Sequence, residues 1–308
     1  MLSVRNVSGN VDPVISNFML KYRNEMLIAD KVFPVVNTNA ESGTYFIWDR
    51  AQMSLQPTRR AAGAAYRRGA LTATTGTYRC EEEGWEIAID KRIQKQAVKP
   101  MDPVCDAAEA VSDVVLLRRE FAVLNLISNG TGAFAAATAA VGAADRWDNP
   151  ASDPIAQVNA RAETIRTACG HRPNKMVISD DTWHALKEHV VLVDRISATK
   201  DQILTLNLLQ ELFDIETVLR ASATRNTAEE GQPEVMADIM GTNLFLGYVT
   251  PSPSITKPSV GYTIQSQPFQ GDSYYENQTK SDVVRGSLVE TQEVTQATAG
   301  FVLTTIIN

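Results

Sequence analysis

Apolar and polar positions along this chain change rhythm several times, and each rhythm predicts a different element. Behind the turn residues Ser42 and Gly43, the run Thr44, Tyr45, Phe46, Ile47, Trp48 is strongly β-prone. Residues 84–90 alternate at about period two and predict the strand that returns beside that run. Between them, residues 50–79 hold few large apolar side chains: Met53, Leu55, Tyr66, Leu71 and Tyr78. Such a stretch cannot build a core and predicts a long excursion from the body. Upstream, residues 1–30 read as an arm with a helical turn or two. Val32 and Phe33 with Val35 and Val36, interrupted by Pro34, predict an edge or extended piece.

From Asp102 and Pro103 the period becomes helical. Asp is a favoured N-cap and Pro a favoured first helical residue. Val104, Ala108, Val111, Val115, Ala122 and Ile127 form the stripe, widened by Leu116, Leu117, Phe121 and Leu124, and Asn129-Gly130 ends it. At 1.5 Å per residue this helix is roughly 40 Å long, the length of a structural beam. Residues 131–144 read as a small-residue connector. Asp153-Pro154 opens a further helix that stops near Gly170, and Met176–Ser179 reads as a short buried strand. Ser179 caps a helix carrying Trp183, Leu186 and His189, and residues 200–213 are leucine-rich and helical. Strands are predicted at 215–219 and 243–249, with a polar loop at 221–233. Residues 153–250 thus read as a compact α/β unit. From Gly261 onward the chain is β-rich, at 262–264, 273–275, 282–291 and 301–307.

Charge sharpens the reading of the excursion. Arg50, Arg59, Arg60, Arg67, Arg68 and Arg79 lie in residues 50–79 without one Asp, Glu or Lys, and the sign reverses at Glu81, Glu82 and Glu83. Structureless loops beyond about 12–15 residues generally have a function. Here the simplest is to reach another protein. Residues 1–100 hold 14 Lys and Arg against 10 Asp and Glu, while 101–308 hold 15 against 26. The net charge of −7 therefore divides into +4 and −11. Copies of such a chain attract one another, and an acidic chain is a poor wrapper of nucleic acid.

Composition excludes several classes. Apolar residues at 44% and charged residues at 21% are ordinary for a globular protein. No apolar run approaches the ~18 residues of a membrane span, and the first residues lack a signal peptide's apolar core. Cys80, Cys105 and Cys169 are too far apart for a disulfide framework or a CxxC site, which points to a reducing cytoplasm. His184 and His189 are five apart and so poorly matched on a helix face for metal. No P-loop, dinucleotide loop or nucleophile elbow occurs. We therefore expect no catalytic residues, no cofactor and no metal.

The order of these pieces resembles the tailed-phage major capsid proteins of the Hong Kong 97 fold. The residues carrying the likeness are Ala29-Asp30-Lys31-Val32-Phe33-Pro34, Arg119-Glu120-Phe121, Trp147 with Asp153-Pro154, Asn174 to Ser179, and Thr182 to His189. The resemblance implies an α+β fold. Residues 1–45 would be the N-terminal arm, 46–90 the extended loop and 91–150 the peripheral domain with its spine helix. Residues 151–258 would be the axial domain, with 259–308 returning to the peripheral domain. It also implies a structural role: copies in hexamers and pentamers of a virion shell, assembled in the host cytoplasm around double-stranded DNA. Arg50, Arg59, Arg60, Arg67, Arg68, Arg79, Glu81, Glu82 and Glu83 become inter-subunit interface candidates, and portal, scaffold and decoration proteins become possible partners. Contact with packaged DNA would be weak and nonspecific. No lysine lies between Lys31 and Lys91, so an isopeptide weld from the loop tip is not expected. The arm begins almost at Met1, which leads us to expect a separate scaffold or self-nucleated assembly. An encapsulin-like cellular nanocompartment is the alternative on the same fold, and an enzyme built on the α/β unit is the alternative from another class.

Overall fold

The computed structural model describes residues 19, 24, 26–48, 53–70, 73–96, 102–197, 204–229 and 231–308. Most of the expected arm, Arg50 and Leu71 lie outside the described residues. A one-turn helix α1 (Ala29–Val32) leads into the short edge strand β1 (Val35–Asn37). Next comes a two-stranded hairpin, β2 (Ser42–Trp48) with β3 (Ala73–Arg79), paired from Ser42 opposite Arg79 to Trp48 opposite Ala73. The strand β4 (Glu81–Asp90) follows after the single residue Cys80. The strand that returns beside residues 44–48 is therefore β3, not residues 84–90. A free two-stranded hairpin has no buried face, so the polar sequence of β3 shows no apolar alternation to betray it.

Past the short helix α2 (Lys91–Gln96), α3 (Pro103–Ser128) begins where expected. The Asp102 carboxylate accepts from the Val104 amide at 3.1 Å, and the helix ends at Asn129. Then come β5 (Thr138–Ala140), α4 (Pro154–Cys169), β6 (Lys175–Ser179), α5 (Asp180–Glu188), α6 (Val190–Ser197) and α7 (Leu206–Phe213). The chain continues through β7 (Thr217–Ala221), β8 (Thr224–Asn226), β9 (Met236–Asp238) and β10 (Leu244–Gly247). It finishes with β11 (Gly261–Glu276), β12 (Ser281–Val294) and β13 (Gly300–Thr304).

Two sheets organise these elements. The first has the order β1-β11-β12-β4. α3 lies on it through Ala107, Ala108, Val111 and Val115, against Ile89, Phe269, Val284 and Leu288. Gly286 permits the close approach, since a Cβ there would come within 2.9 Å of Val111 and 2.8 Å of Phe269. β11 is one long strand rather than two short ones. It absorbs Pro268 at a register shift between Gln267 and Gln270, where a missing amide is tolerated. The second sheet, β5-β13-β10-β6-β7, carries α4 and the helices that follow β6. β13, expected with the peripheral part, lies here between β10 and β5. Residues 221–233, expected as loop, include β8, which pairs with β9.

α4 matches the sequence reading closely. Asp153 accepts from the amides of Ile155 and Ala156, both at 3.0 Å, and Gly170 ends the helix at φ 80°. Replacing Asp153 with Ala should cost about 1 kcal/mol and Asp153→Asn much less, measured by urea unfolding. α6 has no counterpart in the sequence reading. The chain breaks at His189, whose buried ring accepts from the Val191 amide through Nδ1 at 3.3 Å. Its Nε2 meets Ser152 Oγ at 3.0 Å and the Asn149 carbonyl at 3.2 Å.

α3 also joins the two cores. Its first half packs on the first sheet, whereas Val123, Leu124 and Ile127 belong to the large core of the second. Ile28, Ala29, Val32 and Phe33 enter that second core as well. The arm's exit is thus wedged where the two halves of the molecule meet.

Candidate inter-subunit interface

The hairpin is built for reach. Tyr45 stands opposite Gly76 and Tyr78 opposite Gly43. Each ring occupies the space a Cβ on its facing glycine would need. Cross-strand aromatic cover of this kind stiffens a ribbon that has no core of its own. Gly76→Ala should displace the Tyr45 ring and loosen the hairpin, seen as faster amide exchange along residues 42–48. At the root, a small cluster of Cys80, Ile264 and Val289 with Tyr45 and Tyr78 ties the hairpin to the first sheet. The Cys80 amide donates to the Glu41 carbonyl at 2.7 Å, and the Tyr78 hydroxyl lies 3.1 Å from Thr38 Oγ1. The Cys80 thiol is pushed up by burial.

Beyond the strands the tip is open to solvent. Leu55 is 101% exposed and Tyr66 76%. Arg59, Arg60, Arg67 and Arg68 are all exposed, as is Arg79 at the end of β3. The Arg60 guanidinium stacks on Tyr66 at 4.5 Å and donates to the Ala64 carbonyl at 2.5 Å, a local brace for the tip. No acidic partner meets Arg59, Arg60, Arg67, Arg68 or Arg79 among the described residues. The acidic triplet divides. Glu83 faces α3 and pairs with Arg118 at 3.1 Å, so it is already engaged within the chain. Glu81 and Glu82 are exposed and form no ion pair among the described residues. β4 is an edge of the first sheet, so these two carboxylates stand on open surface.

The most strongly organised charges lie elsewhere, where α3 passes from one core to the other. Arg119 and Glu290 are 7% and 5% exposed. The guanidinium meets both carboxylate oxygens, Nε to Oε1 at 2.8 Å and Nη2 to Oε2 at 2.6 Å, and reaches Asp30 Oδ1 at 2.9 Å. Gln265 and Gln292 donate to the same carboxylate at 3.2 and 2.9 Å. Burial pulls the Arg119 guanidinium down, but Glu290 and then Asp30 outweigh it and hold it above its ordinary value. Glu120, fully buried, accepts from the amides of Ile28 and Ala29 at 2.9 and 2.6 Å, at the start of α1. At the other end of α1, Lys175 Nζ donates to the carbonyls of Lys31 and Val32. Burial lowers the Lys175 ammonium, with Glu216 opposing. Carboxylate at the amide end and ammonium at the carbonyl end match the direction of the helix dipole. In the sequence Arg119 and Glu120 belong to a stretch that carries the family likeness, and nothing local marks Lys175. The available signal was two adjacent charges at positions flanked by Val115 and Val123 on the apolar stripe.

Little in the described residues resembles a reaction centre. No group of three or more His, Cys, Asp and Glu side chains is placed to hold a metal ion. Ser152 and His189 make the nearest approach to a nucleophile–base pair. Both are buried, and His189 Nδ1 is occupied by a backbone amide where an orienting carboxylate would sit. The described residues contain no helix long and apolar enough to cross a membrane.

Comparison with known proteins agrees with this architecture. No family model matches the chain. The major capsid protein of Burkholderia phage BcepMu is 28% identical over 272 residues, covering 83% of this chain and 84% of its own. That of Pseudomonas phage JBD67 is 25% identical over 230 residues, 74% and 73% of the two chains. A phage-related protein of Bordetella bronchiseptica RB50 superposes with a TM-score of 0.76 at 24% identity, covering 95% of this chain and 96% of its own. The capsid of cyanophage P-SCSP1u superposes at 0.58 and 10% identity, over 98% and 92%. With its long hairpin and a spine helix shared by two cores, the chain has the Hong Kong 97 fold, and in sequence it is similar to phage major capsid proteins.

Proposed function

We propose that this chain is the major capsid protein of a double-stranded-DNA tailed phage, closing into an icosahedral head as hexamers and pentamers assembled in the host cytoplasm. Its role is structural rather than catalytic. The single observation that carries this reading is the loop. Residues 53–70 touch the body where Met53 lies against Gly170, but their four arginines meet no acidic partner among the described residues and Leu55 is fully exposed. In this reading residues 46–90 lie over a neighbouring subunit, 151–258 face the ring axis, and 1–45, 91–150 and 259–308 form the arm and peripheral wall. Summed interfaces should exceed about 2,000 Å² per subunit, as in obligate assemblies. Scaffold, portal and decoration proteins are the further partners this role calls for, and DNA contact would be slight at net charge −7.

A nanocompartment shell is the second reading, since the fold by itself does not separate a virion from a cellular use. A virus-like particle from Pyrococcus furiosus superposes with a TM-score of 0.58 at 12% identity, a likeness of fold alone. Both sequence relatives named above are phage proteins, which favours the virion. Electron microscopy of the expressed chain, alone and with a co-expressed scaffold, tests assembly. Closed shells or rings of five and six are expected, and dispersed monomers under both conditions would refute the reading. Shells recovered from induced host cells separate the two uses, because a phage head protects double-stranded DNA from nuclease and an enzyme-filled compartment does not.

The loop arginines give a graded prediction. Exposed ion pairs are worth only about 0.2–1 kcal/mol each and are screened by salt. Reversing Arg59, Arg60, Arg67 and Arg68 to Glu should leave the circular dichroism spectrum of the subunit unchanged while lowering the salt concentration at which shells dissociate, read by light scattering. An unmoved threshold would show that the loop docks by other means.

A further inference from the structure

α3 carries apolar side chains on two faces. Val111 and Val115 face the first sheet. Val114, Leu117 and Phe121 recur at three- and four-residue spacing on another face, the one that also bears Arg118. Val114 is 44% exposed. Beside it, β4 presents Trp85 between Glu83, which pairs with Arg118, and Ile87, which packs with α3. Alternation puts Trp85 on that same side of the strand, yet it is 53% exposed. Trp85, Val114 and Phe121 mark an open apolar strip along the seam of α3 and β4.

Two cations stand over one end of the strip. The Arg225 guanidinium of β8 lies 4.6 Å from the centre of the Phe121 ring, and that of Arg118 lies 5.8 Å from it. Arg225 forms no ion pair among the described residues, and Arg118 gives Glu83 only its Nε. Guanidiniums resting on a ring keep N–H groups for a carboxylate. Towards its start α3 exposes Asp106 and Glu109. The strip therefore changes sign along its length. A nucleic-acid backbone, negative throughout, would run onto carboxylates there. A protein helix with its own carboxylates towards one end would not.

We propose that this strip docks an amphipathic helix of a separate assembly protein. The apolar side of that helix lies on Trp85, Val114 and Phe121, and its carboxylates meet Arg118 and Arg225. The proposal rests on the shell reading above, which calls for a scaffold, and adds the surface and the chemistry that would hold one. A straight strip along a helix is the shape on which a second helix packs, and aromatic residues and Arg are enriched at protein interfaces. Exposed ion pairs beside a narrow apolar strip make a contact that salt weakens and that can be released once a shell has closed.

Photo-cross-linking tests the docking. p-Benzoylphenylalanine would replace Val114, or Ala160 on the exposed side of α4 as a control, in chain produced in induced host cells. Immature shells and DNA-filled heads would then be irradiated separately. Position 114, and not 160, should cross-link in immature shells to a protein other than this chain. Mass spectrometry should place the link in a segment with apolar residues at helical spacing and nearby Asp or Glu, and filled heads should lack it. Arg225→Glu should weaken the cross-link about tenfold with an unchanged circular dichroism spectrum. Lys in place of the captured segment's carboxylates should then restore it. A link to a second copy of this chain, a segment without carboxylates, no link in intact shells, or no effect of Arg225→Glu would each overturn the docking while leaving the shell reading standing. Failure of the unaltered chain to assemble, with or without scaffold, would overturn both. Should position 114 not tolerate the label, Trp85 takes it with the same outcomes.

Discussion

Arg119→Ala should destabilise the subunit by about 3–5 kcal/mol, measured by urea unfolding of dissociated protein. The size follows from what is left behind. Glu290 is 5% exposed, and it receives both guanidinium hydrogen bonds from Arg119. Without that partner its carboxylate stays buried with only the amides of Gln265 and Gln292, and a buried unpaired charge is among the few single-site changes of this magnitude. Arg119→Lys should recover only part of the loss, because an ammonium cannot make the two-pronged contact and reach Asp30 as well. Arg119 with Glu290 both replaced by apolar residues of similar volume should be far less damaging than Arg119→Ala alone, since the orphaned charge is gone. An equal loss in both would show that the ion pair is not what the site depends on. Asp30→Ala should cost much less than Arg119→Ala, since the Asp30 side chain is 60% exposed.

Glu120 should make stability fall as pH rises from about 5 to 8. Burial is the chief cause of its shift. It raises the carboxyl from an ordinary 4.5 to about 7, while hydrogen bonds from the amides of Ala29 and Ile28 pull the other way. Asp30 adds to the rise and Lys31 opposes it. A folded value above the unfolded one means that the folded state holds the proton more tightly. The stabilisation is complete below about 4.5 and is lost as pH passes through about 7. A shift of this size corresponds to roughly 3 kcal/mol. Oε1 of Glu120 has no hydrogen-bond partner and carries the cost of the charged form. Glu120→Gln should therefore flatten this part of the pH profile while keeping an oxygen for the two α1 amides. Unfolding at pH 5 and pH 8 for both proteins is the measurement, and parallel profiles would reject the assignment. Because Glu120 holds the start of α1 and Lys175 its end, the same titration should loosen the exit of the arm, visible as faster amide exchange at Ile28 and Ala29.

The two predictions concern residues that local sequence could not single out. Arg119 and Glu290 are 171 positions apart, and Lys175 meets Lys31 across 144. A charged pair inside an apolar stripe signals that something unusual happens there, but the partner is chosen only when β12 takes its place in the first sheet between β11 and β4.

What the sequence determined by itself was local. Asp102-Pro103 and Asp153-Pro154 start helices, and Gly170 ends one, because capping is settled by neighbours two or three residues away. An arginine-rich stretch without apolar content had to leave the core, since it had nothing with which to enter one. Those features, in their order, were also enough to carry the family resemblance. Tertiary structure alone decided that β3 rather than residues 84–90 closes the hairpin, that β13 crosses into the second sheet, and that Glu83 is spent on Arg118 while Glu81 and Glu82 stay free of ion pairs among the described residues. It alone brought Glu120, Arg119 and Lys175 around a single turn of helix. The reason is the same in each case: strand partners and buried charges are selected by contacts between distant segments, whose pairing no short window of residues contains.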